Sequence, residues 1–283
     1  MKKRYINAPL PFQGQKRNFL SQFRDKIQEY AADATFIDVF GGSGLLSRTI
    51  KDTLPNAKVV YNDFDEYEKR LKNIPTTNIL LSKIRELITK YPNNSRLPLC
   101  LKEKILNLIK NDIAEGYFVD YITISSNILF GGKYANNFLE LQKAQFYQKA
   151  SKSDYKETSD YLSGIEVIRK DYLAVFEAYK NAKNVVFVLD PPYLTTDQKS
   201  YKKENYWGLY EHLKLLEVFD NHNYIMFTSD KSQIVELLQY FENRFDYKQH
   251  LTVTPRKGLN SANGIGSVYQ DLMLNQFSPQ SRF

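Results

Sequence analysis

The clearest hydrophobic pattern in the chain is an unbroken one. "VVFVL" at 185–189 shows no polar alternation and runs straight into "DPPY". A short apolar run of this kind predicts a strand buried on both faces, as in a parallel sheet. Residues 16–32 behave differently: Phe19, Leu20, Phe23, Ile27 and Tyr30 recur at three- and four-residue spacing, which predicts a helix. Next come a buried strand in "TFIDVF", the glycine-rich "GGSG", a helix in "LLSRTIKDTL" and a second strand, "AKVVYNDFD", that ends in acidic residues. This succession is that of a doubly wound α/β sheet.

From about residue 67 to 164 the pattern becomes helical, with amphipathic stretches such as "NILLSKIRELITKY" and "LCLKEKILNLIKNDI" separated by polar loops. Strand–helix alternation returns in "IEVIRKDYLAVFEAYKNA", in the 185–189 run and in "YIMFTSD". The end, "GSVYQDLMLNQF", alternates like a closing antiparallel strand. The expected organisation is a sheet domain made of residues 1–66 and 165–283, interrupted by a mainly helical insertion at 67–164.

Composition narrows the class. The 283 residues are 42% hydrophobic, enough for a substantial core. Lys plus Arg number 39 against 32 Asp plus Glu, a net charge of +7 that favours a polyanionic partner without requiring one. Cys100 is the only cysteine, so no intramolecular disulfide can form. His212, His222 and His250 lack the spacing of metal ligands and are expected at the surface or in packing. The basic start has no apolar signal stretch, and no segment is apolar enough for a membrane span. The expected setting is cytoplasmic.

The chemistry-bearing residues gather at predicted strand ends. Gly41, Gly42 and Gly44 would let the backbone turn tightly and approach a ligand, with a helix start behind them. A structural turn is the alternative. Asp63, closing the second strand, is placed to accept hydrogen bonds from ribose hydroxyls. Asp38, inside the first strand, needs a partner, either a ligand amino group or a local backbone amide. Asp171 is either a ligand at the sheet's carboxyl edge or a helix N-cap. Asp190, Pro191, Pro192 and Tyr193 form a stiff acceptor cluster beside an aromatic face. Such a cluster suits a planar ring carrying an NH2 group.

Together these residues resemble the S-adenosylmethionine-dependent amino-methyltransferases of DNA. The order "PFQGQK", "FGGSG", acidic strand end, long insertion, "DY", "DPPY" is similar to the alpha-group, Dam-like adenine-N6 enzymes. The resemblance implies that Phe40, Gly42 and Gly44 line the cofactor, with Phe12 in the amino-terminal motif and Lys16 and Asp38 near the methionine end. It implies that Asp63 holds the ribose, Asp171 accepts from the cofactor's adenine amino group, and Asp190, Pro191, Pro192 and Tyr193 hold a flipped target base. The insertion would be a target-recognition domain for double-stranded DNA, and a restriction endonuclease would be the cognate partner. Lys133 in the insertion and Lys199, Lys202, Lys203, Arg256 and Lys257 are expected phosphate contacts. The segment "TTDQKSYKKENYW", with Tyr201, Tyr206 and Trp207, is read as a loop that meets DNA phosphates and closes over the pocket, with a charged surface loop as the alternative. A cytosine-N4 enzyme, a cofactor- and DNA-binding protein without turnover, and an RNA substrate stay open. A dehydrogenase is disfavoured, because "GGSG" lacks the full G-x-G-x-x-G spacing.

Overall fold

The computed structural model describes residues 5–192, 207–219, 222–229, 232, 234–237, 240, 252–258 and 269–276. Its seven strands are β1 (Thr35–Asp38), β2 (Lys58–Asn62), β3 (Glu166–Ile168), β4 (Val185–Leu189), β5 (Asn223–Ser229), β6 (Thr252–Gly258) and β7 (Tyr269–Gln276). They form one sheet in the order β3-β2-β1-β4-β5-β7-β6. β1 pairs in parallel with both β2 and β4, whereas β7 runs antiparallel to β5 and β6. This mostly parallel mixed sheet with helices is consistent with a Rossmann-like methyltransferase fold. Among the described residues no helix is long and apolar enough to cross a membrane.

The helices are α1 (Leu20–Ile27), α2 (Leu45–Thr53), α3 (Tyr67–Lys72), α4 (Ile74–Ile88), α5 (Leu99–Ala114), α6 (Tyr121–Ile128), α7 (Phe138–Lys143), α8 (Tyr172–Tyr179) and α9 (Leu209–Phe219). The helix expected over residues 16–32 is shorter, a 3-10 turn at Arg17–Phe19 leading into α1. Tyr30 is buried all the same, with its hydroxyl donating to the Tyr224 carbonyl at 3.4 Å.

Contacts divide the chain into two compact units, one of residues 1–7, 14–65 and 162–283 and another of 8–13 and 66–161. In the first unit helices cover both sheet faces. On one face Phe19 and Phe23 meet Phe227 of β5 at ring separations of 5.4 and 5.8 Å. On the other, Phe176 of α8 meets Phe187 of β4 at 5.2 Å. That double cover explains why all five residues of β4 are buried and why its sequence cannot alternate.

The second unit has its own core. Leu80, Leu81, Ile84 and Ile88 of α4 pack with Leu101, Ile105 and Ile109 of α5 and with Ile124 and Ile128 of α6. Residues 8–13 are clipped to this unit by polar contacts. The Tyr67 hydroxyl accepts from Leu10 N at 2.9 Å and donates to Leu10 O at 3.1 Å. Arg70 donates to Pro11 O at 2.8 Å and to Asp120 at 3.0 Å. Asp120 also caps α6, accepting from Thr123 N at 3.0 Å.

β6 is not among the strands that the sequence pattern predicts. The "TPRKG" stretch forms a strand in which Arg256 pairs with Asp271 and Lys257 with Gln270 across the ladder. Pro255 disguised it. Among the described residues β6 ends the sheet, a position where a strand tolerates proline.

Candidate active site

The strand order reverses between β1 and β4, which run in parallel but continue outward in opposite directions. Open α/β sheets leave a crevice at the carboxyl ends of two such strands. Asp38 ends β1, and Asp190 follows directly on β4.

Asp38 is fully buried. Ser47 Oγ donates to its Oδ2 at 2.6 Å, while Oδ1 has no hydrogen-bond partner among the described residues. Burial and, to a lesser degree, the neighbouring charge of Asp190 push its pKa up to about 7; the Ser47 hydrogen bond opposes them. Lys16 Nζ lies 2.7 Å from Asp190 Oδ2 and donates to Gly14 O at 2.9 Å. The resemblance had put Lys16 near the methionine end of a cofactor; its ammonium stands here against the carboxylate of the "DPPY" motif. Pro191 is buried and Pro192 half-buried. Tyr193, Lys199, Lys202 and Lys203 lie outside the described residues.

The glycine loop has two separate reasons for its composition. Gly42 and Gly44 adopt φ of 50° and 68°, in the left-handed region that glycine enters without strain. Gly41 has another cause: a Cβ there would fall 2.2 Å from ring carbons of Tyr61. The loop closes on itself through Gly44 N to Gly41 O at 2.7 Å and delivers the chain into α2.

Two polar residues that the sequence reading passed over hold this edge together. The Tyr61 hydroxyl lies 2.8 Å from Gly42 O and 2.9 Å from Asp63 Oδ1, linking the loop to the acidic strand end. Asn62 Nδ2 donates to Val39 O at 3.0 Å and Lys170 O at 2.9 Å, and Oδ1 accepts from Lys170 N at 2.9 Å. One side chain thus ties the carboxyl ends of β1, β2 and β3. Its signal in the sequence was a polar residue at the end of an otherwise apolar strand.

Asp171 caps α8, with Leu173 N donating to its Oδ1 at 2.9 Å. The geometry of the N-cap alternative is therefore present. Phe40 and Tyr172 are half-buried, with ring centroids 5.8 Å apart. Trp207 corrects an expectation: it is only 8% exposed and packs against both of these rings instead of lying in a DNA-facing loop. Phe12 belongs to the second unit, edge-on to Tyr67 at 5.9 Å. Lys133 is exposed in that unit, directly after Gly131 and Gly132, whose φ values are 75° and 69°.

A glycine loop and an aspartate set before two prolines thus follow the two strands at the switch point of a mostly parallel sheet. The chain belongs to the D12 class N6 adenine-specific DNA methyltransferase family, which it matches over residues 12–254. It is 36% identical over 286 residues to a Haemophilus influenzae protein described as "Putative methyltransferase", an alignment covering 98% of this chain and 94% of that one. The protein is an adenine-specific DNA methyltransferase.

Proposed function

We propose that the enzyme is Dam-like, uses S-adenosylmethionine, and methylates N6 of an adenine flipped out of a short specific duplex sequence. The observation that carries this reading is the placement of Asp38 and Asp190 on the two strands flanking the switch point. Asp38 supplies the test of fit. A fully buried carboxylate oxygen without a partner suits a ligand ammonium, such as the one at the methionine end of the cofactor. Gly42, Gly44 and Phe40 would line that ligand, Asp63 would hold the ribose, and Asp171 would accept from its adenine amino group. Phe12 is assigned to the same binding motif by resemblance.

When bound, the cofactor supplies an electrophilic methyl group on a sulfonium sulfur. An adenine amino nitrogen is a poor nucleophile because its lone pair is delocalised into the ring. Asp190 and the Pro191 carbonyl would accept its two N–H bonds, drawing the nitrogen toward a pyramidal geometry and freeing the lone pair. Pro191 and Pro192 hold the backbone stiff, so the acceptors need little rearrangement. The Lys16 ion pair fixes one oxygen of Asp190. Tyr193 would stack on the extruded base and offset its lost stacking in the duplex.

The second unit is the proposed target-recognition domain, with Lys133 at a phosphate. Lys199, Lys202, Lys203, Arg256 and Lys257 are proposed phosphate contacts of the first unit. A restriction endonuclease of the same specificity is the proposed partner. The test is transfer of labelled methyl from S-adenosylmethionine to unmethylated genomic DNA, followed by nucleoside mass spectrometry and mapping. N6-methyladenine at one short sequence is expected. Asp190→Ala should abolish transfer while cofactor binding survives; label in RNA alone, or at cytosine N4, would defeat the reading.

A further inference from the structure

Trp207 is the only tryptophan in the chain. Its indole meets Phe40 edge-on, with centroids 5.1 Å apart at 89°, and meets Tyr172 at 4.9 Å and 60°. Phe40 stands immediately before the glycine loop, and Tyr172 immediately after Asp171. One ring system therefore touches the chain beside two separate cofactor-contact positions.

The indole is held as well as packed. Trp207 Nε1 lies 2.8 Å from His212 Nδ1, which accepts from it in the tautomer protonated at Nε2; the same Nδ1 lies 3.0 Å from Gly208 O. His212 is 1% exposed, and burial lowers its pKa and favours the neutral ring, against the opposing Gly208 hydrogen bond. The first turn of α9 that carries His212 is itself fixed, since Gly208 N donates to Glu211 Oε2 at 2.7 Å. A purely space-filling role would not need a tryptophan whose single donor meets a buried acceptor. That bond sets the rotation of the indole, and edge-to-face contacts pass the orientation on to the two neighbouring rings. Phe40 and Tyr172 are half-buried residues that flank the glycine loop and Asp171 in sequence.

We propose that Trp207, oriented by His212, is a positioning residue for the cofactor: it sets the tilt of Phe40 and Tyr172, the aromatic surface on which the adenine of S-adenosylmethionine packs. This rests on the cofactor reading above. Emission from the sole tryptophan reads the site directly, without turnover. Titrating the full chain with S-adenosylmethionine, by calorimetry and by tryptophan fluorescence in parallel, should give one saturable transition with the same midpoint in both.

His212→Leu keeps the bulk and removes the acceptor; it should weaken cofactor binding about tenfold and raise the cofactor KM with little change in kcat. His212→Gln, whose amide oxygen can accept the indole N–H, should recover binding to within about threefold of wild type. Trp207→Phe retains a ring without its donor and should match His212→Leu, and it carries the comparison if that variant melts early by circular dichroism. Heat of binding without any change in emission, or wild-type affinity in both donor- and acceptor-deleted variants, would overturn the proposal and leave the cofactor reading standing. No heat of binding in a folded protein would overturn both.

Discussion

The ammonium of Lys16 and the carboxylate of Asp190 form an ion pair at 2.7 Å, with side chains only 10% and 19% exposed. Such shielding leaves the pair far less screened than a surface contact. Lys16→Met should leave Asp190 without this cation and lower kcat/KM for methyl transfer by about tenfold to a hundredfold, the effect of losing about 1–3 kcal/mol. Steady-state rates on duplex DNA at saturating cofactor check this. An unchanged rate would mean that the pair plays no part in the reaction.

Asp38 makes the enzyme's pH behaviour predictable. Its pKa is raised from an ordinary 3.8 to about 7, first by burial and then by Asp190. Between those two values the folded state holds a proton that the unfolded chain has released. Stability contributed by that proton is present below 3.8 and declines as pH rises toward 7, by at most about 4 kcal/mol. Asp38→Asn should flatten this slope and raise the melting temperature at about pH 8 relative to wild type. Cofactor affinity should move the other way. In wild type it should increase as pH rises through about 7 and Asp38 ionises to meet an ammonium, while in Asp38→Asn it should be weak throughout. Calorimetric titrations across that range test the sign.

Gly41 is constrained by a neighbour, not by its own backbone angles. Gly41→Ala would drive a methyl group into the buried Tyr61 ring and should cost about 1–3 kcal/mol of stability as overpacking. It should also weaken cofactor binding, because Tyr61 carries the hydroxyl that reaches Asp63. Tyr61→Phe separates the two effects: the ring stays, so binding should weaken with a smaller loss of stability than in Gly41→Ala, that of the hydroxyl's hydrogen bonds alone. Equal losses of stability in both variants would contradict this division.

In the second unit, Arg70 and Asp120 are 4% and 3% exposed. Asp120→Ala leaves a buried guanidinium without its carboxylate and removes the cap of α6. The expected loss is about 3–5 kcal/mol, read by denaturant unfolding. A loss below about 1 kcal/mol would mean that water reaches the guanidinium once the carboxylate is gone.

What could be read from the sequence depended on how local the cause was. The apolar run of β4 and the period of α4 are direct images of burial on two faces or one, so both elements were legible. The glycines announced a turn, and Asp38 and Asp190 stand at the carboxyl ends of β1 and β4 as the pattern placed them. Causes spread over distant positions were hidden. Tyr61 explains Gly41 across 20 residues, Asn62 reaches Lys170, and Arg70 finds Asp120 across 50. Trp207 misled because lysines and tyrosines precede it in sequence, whereas its ring partners Phe40 and Tyr172 come from distant parts of the chain. β6 was masked by a proline that only an edge position tolerates. Asp171 allowed two readings, and the observed cap occupies one of its oxygens without removing the carboxylate from the strand edge.

The two borders of the sheet are built to discourage growth. Among the described residues it ends at one side in β3, only three residues long, and at the other in β6, where Pro255 interrupts the row of donors and Arg256 and Lys257 follow. A short border, a proline and adjacent cations are features that oppose edge-to-edge strand addition between chains. An enzyme that concentrates on a polyanion is crowded against its own copies there. The ends of its sheet give those copies little backbone to add to, so crowding need not lead to aggregation.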